Sequence, residues 1–479
     1  MEHKSRTVRA LDLDVMEKQT QASAVIREAN EQFAIRMGRR KKAFIRTFGC
    51  QQNEADSEKI AGMCQDMGYE MSDTPHGADL IVVNTCAIRE HAEIKALSII
   101  GQYKHEKNLN RDMVIAVCGC MVSQPHRVEQ IKKSYPYVDL LFGTASIHKF
   151  PSLLLEKTER GKRLFEIDGE TYEMAEGIPV LRNHPFKAWV SVMYGCNNFC
   201  SYCIVPYVRG RERSRRPGDV LDEIRTLVTD GYQEITLLGQ NVNSYGKTED
   251  YECDFADLLK SASDIEGRFR LRFMTSHPKD ATEKLIDVMA SSDKICKHFH
   301  LPLQSGSDAI LKAMNRHYDM SRYMHIVDYI RQKMPECSIS SDIIVGFPGE
   351  TEEDFEKTLR ALETIRFDMI YAFIYSPRVG TPAAKLETQV DPEIKSERFQ
   401  RLLELQNRIA LEKNESAVGL DYSVLCEGPS AENDKLLSGR TDGNKIVFFE
   451  GDPCLAGKLL TVRIDRADPY ALFGKVVES

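Results

Sequence analysis

The sequence predicts an α/β protein built from three folded parts: a parallel α/β domain, a partial barrel of six βα units, and a small OB-like β-barrel. Three observations support this class. Apolar runs alternate with helical patterns over residues 42–158, the alternation returns over residues 185–414, and about five short strands separated by glycine turns fill residues 415–479. Buried parallel strands read as continuous apolar runs, whereas small barrels show many short strands.

The first part contains four strand candidates, and a helical stretch follows each of the first three. The candidates are "KAFIRTFGC", "ADLIVVNTC", "DMVIAVCGC" and "VDLLFGT". Helices are predicted at about 53–67, from after Cys86 to about 107, and from about 123. Strands of this kind between helices indicate a parallel sheet with both faces covered.

The partial barrel is predicted from six further strand candidates, each followed by a helix. They are "KAWVSVMYG" from 187, "EITLLGQN" from 234, "RLRFMTSH" from 270, "HFHLPLQ" from 298, "SISSDIIVGF" from 338 and "MIYAFIYSP" from 369. Six units are too few to close an eight-stranded barrel, so we expect an open side that admits a large substrate. A long helix over about 392–414 ends this part.

Two segments lie outside the predicted folded parts. Residues 1–41 are polar and are interpreted as a partly ordered extension with no assigned function. Residues 159–184 show no alternation of strands and helices, and we interpret them as a linker.

Composition excludes several classes of protein. The 479-residue chain has a formal net charge of −8, so any binding of nucleic acid must use local basic patches. No apolar run is long enough for a transmembrane helix, and the N-terminus lacks the apolar core of a signal peptide. We therefore expect a cytoplasmic protein without membrane contact, in which the thirteen cysteines are metal ligands or core thiols rather than disulfides.

Cys196, Cys200 and Cys203 form a C-x3-C-x2-C motif on the loop after the first barrel strand. A structural zinc site needs four ligands, but the next cysteine in the sequence is Cys253. Three thiolates satisfy three irons of a [4Fe-4S] cluster and leave the fourth iron open to a small chelating molecule. The motif therefore favours an iron–sulfur cluster over a zinc site or packed thiols.

A second group of cysteines closes successive predicted strands. Cys50, Cys86 and Cys120 each stand at the carboxyl end of a parallel strand, so all three are expected at the same edge of the sheet. This placement predicts a second [4Fe-4S] cluster with an open iron, with three unrelated thiols as the alternative. The remaining cysteines lack such an arrangement and are interpreted as packed or incidental thiols.

The motif "GCNNFCSYC" resembles the signature of radical S-adenosylmethionine enzymes. Together with "FGCQQNEADSEKI", "VNTCAIRE" and the strand-rich tail, it makes the chain similar to the methylthiotransferase family from about residue 42 to 479. That family has an N-terminal cluster domain, a radical S-adenosylmethionine barrel and a C-terminal TRAM barrel. The usual "GCQMN" of the branch that modifies N6-dimethylallyladenosine in tRNA is "GCQQN" here, a minor departure.

The resemblance implies two roles for S-adenosylmethionine. One molecule donates a methyl group to sulfur at the N-terminal cluster. A second yields a 5′-deoxyadenosyl radical that abstracts hydrogen from C2 of the prenylated adenine next to the anticodon, where the methylthio group is added. Modification of an aspartate of ribosomal protein S12, or of threonylcarbamoyl-adenosine in tRNA, is the nearest alternative. A non-catalytic iron–sulfur RNA-binding protein is the alternative from another class.

The resemblance also implies contacts and partners. Expected S-adenosylmethionine contacts at the strand ends are Gln240, Asn241, Ser276, Asp342, Gly346 and Gly349. The residues themselves predict RNA contacts, because arginine forks match phosphate oxygens and a basic, aromatic barrel face suits RNA. The expected contacts are the arginines after the cluster loop and three tail residues: Arg209, Arg211, Arg213, Arg215, Arg216, Arg440, Lys445 and Phe448. Arginines paired with carboxylates, or in solvent, are the alternative. The expected partners are the tRNA anticodon stem-loop, a one-electron reductant such as flavodoxin or ferredoxin, and a sulfur donor, with the enzyme a monomer.

Overall fold

The computed structural model describes residues 13–87, 90–167, 176–431, 433 and 435–477. Parts of the predicted extension (1–12), linker (168–175) and tail (478–479) lie outside the described residues. The described chain forms two compact units. The first contains residues up to Asn183 together with Met193–Asn197 and Ile204–Arg215, and the second contains His184–Val192, Asn198–Cys203 and Arg216 onwards.

The α-helices are α1 Leu13–Met37, α2 Gln51–Asp66, α3 Glu90–Leu109, α4 Pro125–Ser134, α5 Phe150–Arg160, α6 Val205–Val208, α7 Pro217–Thr229, α8 Phe255–Ser263, α9 Glu283–Ala290, α10 Asp308–Ala313, α11 Met320–Lys333, α12 Glu352–Ile365 and α13 Pro392–Glu415.

The strands are β1 Lys42–Thr47, β2 Glu70–Met71, β3 Leu80–Thr85, β4 Val114–Gly119, β5 Leu140–Phe142, β6 Leu164–Glu166, β7 Lys187–Ser191, β8 Met193–Tyr194, β9 Arg213–Ser214, β10 Glu234–Leu238, β11 Arg270–Phe273, β12 His298–His300, β13 Ser338–Val345, β14 Met369–Ile374, β15 Asp421–Pro429, β16 Leu437–Thr441, β17 Ile446–Phe449, β18 Leu459–Ala467 and β19 Ala471–Val476.

The first unit is organised around a six-stranded parallel sheet of order β2-β1-β3-β4-β5-β6. Its four predicted strands are confirmed as β1, β3, β4 and β5, and two strands that were not predicted, β2 and β6, join them. β6 lies inside the segment interpreted as a linker, so that interpretation is wrong for residues 164–166. The pattern missed this strand because none of its three residues is fully buried, whereas all three residues of the equally short β5 are buried.

The prediction of a partly ordered extension is also wrong for the described residues from Leu13 onwards, which form α1. Ile26 is 7% exposed and belongs to the apolar core beneath the sheet. The Asn30 side-chain amide donates to the carbonyl oxygen of Met67 at 2.9 Å, and the Ser152 backbone N–H donates to the Gln19 side chain at 3.1 Å. Helix α1 is therefore a structural part of the first unit.

The second unit confirms the partial barrel. All six predicted strands are present, in two parallel three-stranded sheets of order β11-β10-β7 and β12-β13-β14. A single bridge between Leu271 and Ile295 extends the pairing beyond β11. The five tail strands close a barrel of order β15-β16-β17-β19-β18, as predicted.

Buried arginines join the strands of the partial barrel to the tail. Arg272 donates from Nε to the Glu234 carboxylate at 2.6 Å and from Nη2 to the Thr441 carbonyl oxygen at 2.6 Å. Arg270 donates to the Ser423 carbonyl oxygen at 2.8 Å. These bonds satisfy charges that would otherwise be buried unpaired. None of the helices described is both long and apolar enough to cross a bilayer.

We expect Ile26→Ala to destabilise the first unit by about 2–4 kcal/mol, because the substitution leaves a cavity in a packed core. Ile35→Ala is the matched control on the same helix, since Ile35 is 87% exposed. The measurement is the urea midpoint followed by circular dichroism. An equal effect of the two substitutions would show that α1 does not contribute to the core.

Candidate cluster and cofactor sites

The structure brings Cys50, Cys86 and Cys120, the N-terminal triad, to one edge of the first unit's sheet. Paired residues Thr47, Asn84 and Cys118 align the carboxyl ends of β1, β3 and β4, and the triad cysteines follow those ends. Gly49, at φ +127°, lies so close to Cys86 that an added Cβ would be 2.6 Å from the Cys86 Cβ and 3.0 Å from its Sγ. The predicted juxtaposition therefore follows from the parallel register.

The two inner thiols of this triad, Cys86 and Cys120, are each 1% exposed. Burial raises the pKa of the Cys120 thiol to about 12, Arg209 acts in the opposite direction, and the nearby Cys86 and Cys50 raise it further. A metal that binds this sulfur displaces its proton, so metal binding is coupled to proton release. Cys50 caps α2 and is half-buried, with its Sγ 3.5 Å from Asn53 Oδ1.

Arg209 is a buried partner of this triad, a role that its place in the arginine run does not predict. Its Nε lies 3.2 Å from Cys120 Sγ, and its Nη2 donates to Asn53 Oδ1 at 3.1 Å and to Asp56 Oδ2 at 2.9 Å. Asn53 in turn donates to the Thr85 carbonyl oxygen at 2.9 Å. One guanidinium thus connects a candidate cluster ligand to the acidic side of α2.

The loop of the C-x3-C-x2-C motif is held in each unit by separate contacts. In the first unit, the Cys196 N–H donates to the Gly210 carbonyl oxygen at 3.1 Å, and the Asn197 N–H donates to Glu212 at 3.0 Å. In the second unit, Arg316 Nη1 lies 3.3 Å from Cys200 Sγ, and its Nη2 donates to the Pro302 carbonyl oxygen at 3.0 Å. The loop that carries Cys200 is therefore fixed by a buried arginine as well.

All thirteen cysteines are free thiols. Five of those outside the two triads are buried, which agrees with their interpretation as packed thiols: Cys64, Cys118, Cys296, Cys337 and Cys426. Within the described ranges, no group of three or more cysteine, histidine or acidic side chains has the spacing that a single metal ion needs.

Among the described residues, a set of buried polar atoms without a protein partner lies at the carboxyl ends of β10, β11 and β12 in the second unit. It comprises Asn241 Oδ1, both side-chain atoms Oδ1 and Nδ2 of Asn243, Ser276 Oγ, His277 Nε2 and Gln304 Oε1. Leaving such groups unsatisfied costs about 1–3 kcal/mol each, so their concentration at one edge indicates a polar ligand. This edge fits S-adenosylmethionine, which carries many hydrogen-bonding groups.

His277 is suited to donate to that ligand. The Lys279 N–H donates to His277 Nδ1 at 3.2 Å, which places the imidazole proton on Nε2, the atom that belongs to the unsatisfied set. Burial, and after it the charge of Arg316, keeps the pKa of His277 well below its ordinary value, so the ring is neutral. Asn243, His277 and Gln304 were absent from the predicted contacts, although Gln304 ends the strand candidate "HFHLPLQ".

The predicted cofactor contacts are placed unequally. Asn241 and Ser276 belong to the unsatisfied set, and Gln240 follows β10 at the same edge. Asp342 instead lies within β13, where the His300 ring is 3.6 Å from its carboxylate.

Gly346 does not present its backbone to a ligand as expected. Its N–H donates to Glu350 at 2.8 Å, and the space where a Cβ would stand is occupied by the Lys395 side chain at 2.3 Å. Close packing of Lys395 and a φ of +74° account for the glycine. The neighbouring Gly349 donates its N–H to the Thr388 carbonyl oxygen at 2.8 Å.

The prediction of a continuous arginine surface for RNA is wrong for two of its five members. Arg209 is buried against Cys120 and Asp56, and Arg215 is buried in a bidentate pair with Glu176 at 2.7 Å. Arg213 is half-buried, and Arg211 and Arg216 are exposed. Pairing with carboxylates, the alternative from the sequence, holds for Arg209 and Arg215.

The three predicted RNA contacts in the tail, Arg440, Lys445 and Phe448, also differ in how far other residues of the protein engage them. Lys445 is committed within the second unit, since it donates to Asn414 at 2.7 Å and lies 3.4 Å from Asp368. Arg440 lies 3.4 Å from Glu427. Phe448 is half-buried and tilted against Phe473, with ring centroids 5.6 Å apart.

Comparison with known families matches three segments of the chain. Residues 190–362 match the Radical SAM superfamily, residues 42–143 match the Uncharacterized protein family UPF0004, and residues 415–477 match the TRAM domain. The partial barrel with its C-x3-C-x2-C loop is thus the fold of a radical S-adenosylmethionine enzyme.

Relatives cover nearly the whole chain. The chain is 51% identical over 452 residues to the tRNA-2-methylthio-N(6)-dimethylallyladenosine synthase of Acetivibrio thermocellus, with 94% of each chain covered. It is 48% identical over 470 residues to the enzyme of the same name from Clostridioides difficile, with 98% of each covered. The chain belongs to this family of radical S-adenosylmethionine tRNA methylthiotransferases, whose cofactors are [4Fe-4S] clusters and S-adenosylmethionine.

A solved structure supports the fold. The radical S-adenosylmethionine methyltransferase TsrM from Kitasatospora setae aligns with a TM-score of 0.54 at 13% identity, over 77% of this chain and 89% of that chain. At this identity the likeness concerns the fold alone.

We expect Asn243→Ala to weaken S-adenosylmethionine binding about tenfold, because both polar atoms of this side chain are buried without a partner in the described chain. Asn407→Ala is the control, since Asn407 accepts a hydrogen bond from the exposed Tyr470. Equilibrium dialysis of the reconstituted protein gives both dissociation constants. Equal constants for the two variants would move the cofactor away from this edge.

Proposed function

We propose that this enzyme adds a methylthio group to C2 of N6-dimethylallyladenosine next to the anticodon of tRNA. The observation that carries the proposal is the gathering of Cys50, Cys86 and Cys120 at one sheet edge, in a chain that has a separate C-x3-C-x2-C loop. One triad serves the radical reaction, and a second triad is needed only if another reaction, here sulfur transfer, must be supported. The domain boundaries 42–158, 185–414 and 415–479 belong to this proposal.

Each triad would hold one [4Fe-4S] cluster. Bound there and at the barrel edge, the clusters and S-adenosylmethionine supply a methyl group, a hydrogen-abstracting radical and a site for sulfur. Asn243, His277 and Gln304 orient the cofactor through polar atoms that the rest of the described chain leaves unsatisfied. Arg209 and Arg316 donate toward one sulfur of each triad and so favour its thiolate form.

The TRAM barrel supplies a surface suited to RNA. In the strand register Phe448 pairs with Phe473, and Phe473 pairs with Arg466, whose guanidinium lies 3.5 Å from the Phe473 ring centroid. A row of aromatic and basic side chains stacks bases and contacts phosphates. Exposed Arg211 and Arg216 provide further contacts to the tRNA backbone.

The same proposal includes the partners and location. A one-electron reductant such as flavodoxin or ferredoxin supplies the electron for cleavage of S-adenosylmethionine, and a sulfur donor supplies the sulfur. The enzyme acts as a monomer in the cytoplasm, where the reducing environment keeps the thirteen cysteines available.

We expect Cys50, Cys86 and Cys120, changed together to alanine, to abolish methylthio product while 5′-deoxyadenosine is still formed. The matched variant replaces Cys196, Cys200 and Cys203, and it should form neither product. Mass spectrometry of reaction mixtures and iron analysis report both outcomes. Normal methylthiolation by the first variant would contradict the separate role of the N-terminal triad.

The proposed substrate is tested with two otherwise identical tRNAs, one carrying dimethylallyl-adenosine and the other plain adenosine. We expect much faster single-turnover methylthiolation of the first, because burial of the prenyl group contributes roughly 25 cal/mol for each Å² removed from water. Ribosomal protein S12 is assayed in parallel. Equal rates on the two tRNAs would remove prenyl recognition, and modification of S12 alone would assign the enzyme to the ribosomal protein substrate.

A further inference from the structure

One face of the strands β13 and β14 in the second unit is partly exposed and carries a carboxylate. The parallel register pairs Asp342 with Tyr371 and Ser340 with Met369, so these four side chains lie on the same face of the sheet, called the open face below. Ile343, on the opposite face, is fully buried. The open face is therefore the side of these strands that a ligand can reach.

The Asp342 carboxylate accepts no hydrogen bond from the residues that the structure describes. Its nearest polar neighbour is the ring of His300, with Nε2 3.6 Å from Oδ2, which exceeds hydrogen-bond distance. That ring is held by Ser340, whose Oγ lies 3.0 Å from His300 Nδ1 and 2.8 Å from His298 Nε2. Since the Asp342 side chain is 27% exposed, its oxygens remain available to a ligand that donates a hydrogen bond.

Asp342 lies one residue inside the edge that fits S-adenosylmethionine. The Gln304 N–H donates to the Asp342 carbonyl oxygen at 2.8 Å, and the Ile344 N–H donates to the Gln304 carbonyl oxygen at 2.9 Å. Gln304 Oε1 belongs to the unsatisfied polar set of that edge. Because a strand rises about 3.3 Å per residue, a ligand at Asp342 lies next to a cofactor bound at the edge.

Apolar surface surrounds this single acceptor. Met369 and Tyr371 are each 37% exposed, and their strand β14 is the last of the order β12-β13-β14, at the open side of the partial barrel. The Tyr371 ring meets the His300 ring edge to face, with centroids 5.8 Å apart, and so stays beside Asp342. The open face therefore suits a ligand that has one donor group with an apolar group next to it.

We propose that the open face binds the prenylated adenine, with Asp342 accepting a hydrogen bond from the exocyclic N6–H and with Met369 and Tyr371 packing against the dimethylallyl group. The inference rests on the proposed function and names the side chains that recognise its substrate. In N6-dimethylallyladenine one N–H and one branched apolar group share the same nitrogen, which matches one acceptor beside an apolar surface. A base splayed out of a single-stranded loop can enter from the open side of the barrel. Binding involves no covalent change.

The test uses two synthetic anticodon stem-loops that differ at one position of the modified base. In the first the dimethylallyl group is attached through N6–H, and in the second it is attached through an ether oxygen. Fluorescence anisotropy with the reconstituted enzyme and S-adenosylmethionine, without a reductant, gives both dissociation constants. We expect the wild-type enzyme to bind the N–H RNA about tenfold more tightly, because the ether leaves the carboxylate without its donor.

The matched variants locate that preference. Asp342→Ala should bind the two RNAs equally, since the acceptor is gone. Asp342→Asn keeps the shape of the side chain and should also lose the preference, because its amide can donate to the ether oxygen. Asp328→Ala, at an exposed position of α11, is the control and should keep the preference. Met369→Ala should weaken binding of both prenylated RNAs more than binding of a stem-loop with plain adenosine.

Iron content and S-adenosylmethionine affinity are measured for every variant. Equal affinity of the wild-type enzyme for the two RNAs would overturn the proposal, and so would a preference that Asp342→Asn retains. Weaker S-adenosylmethionine binding by Asp342→Asn at unchanged iron content would assign Asp342 to the cofactor and overturn it as well. Failure of the wild-type enzyme to methylthiolate the N–H RNA after a reductant is added, with the binding preferences as expected, would refute the proposed function and leave the recognition site standing.

Discussion

The buried guanidinium of Arg209 is the constraint around which the N-terminal site is built. It is 4% exposed, and it is stabilised by Asp56, Asn53 and the sulfur of Cys120 together. Removing one partner of a buried ion pair costs about 3–5 kcal/mol, because an uncompensated charge is left behind. Arg209, which follows the C-x3-C-x2-C loop, therefore connects that part of the chain to helix α2 and to Cys120, the residue directly after β4.

The parallel strand register positions the three cysteines of the N-terminal triad. Because β1, β3 and β4 run in the same direction and end level with one another, side chains far apart in sequence meet at one edge. The second unit shows a comparable arrangement, in which Arg316 lies 3.3 Å from Cys200 Sγ and is itself held by the Pro302 carbonyl. The proposal that each triad holds an iron–sulfur cluster gives both arginines a role, because hydrogen bonds to sulfur tune the reduction potential of such clusters.

The strands and both cysteine triads were predictable because their signals are local. A buried parallel strand is a short apolar run, and its carboxyl end is read directly from where the run stops. The buried barrel strands β10, β11 and β12 follow this rule, whereas β14 is largely exposed. The five tail strands, which pair mostly antiparallel, were predicted instead from short strands between glycine turns. The elements that were missed include β2 and β6, which have no fully buried residue, and α1, whose apolar positions are sparse although Ala22 and Ile26 are buried.

The sequence alone determined which residues end strands, and therefore the two triads, the partial barrel and the TRAM barrel. Only the tertiary structure decided which cations face solvent. The sequence pattern does not distinguish Arg209 and Arg215 from Arg211 and Arg216. In the structure the first two are buried beside Asp56 and Glu176, and the other two are exposed. Those carboxylates are distant along the chain. The unsatisfied polar atoms of Asn243 and His277 likewise come from separate segments that only folding brings to one edge. Charge pairing and burial depend on neighbours that only folding brings together, and a linear pattern carries no record of them.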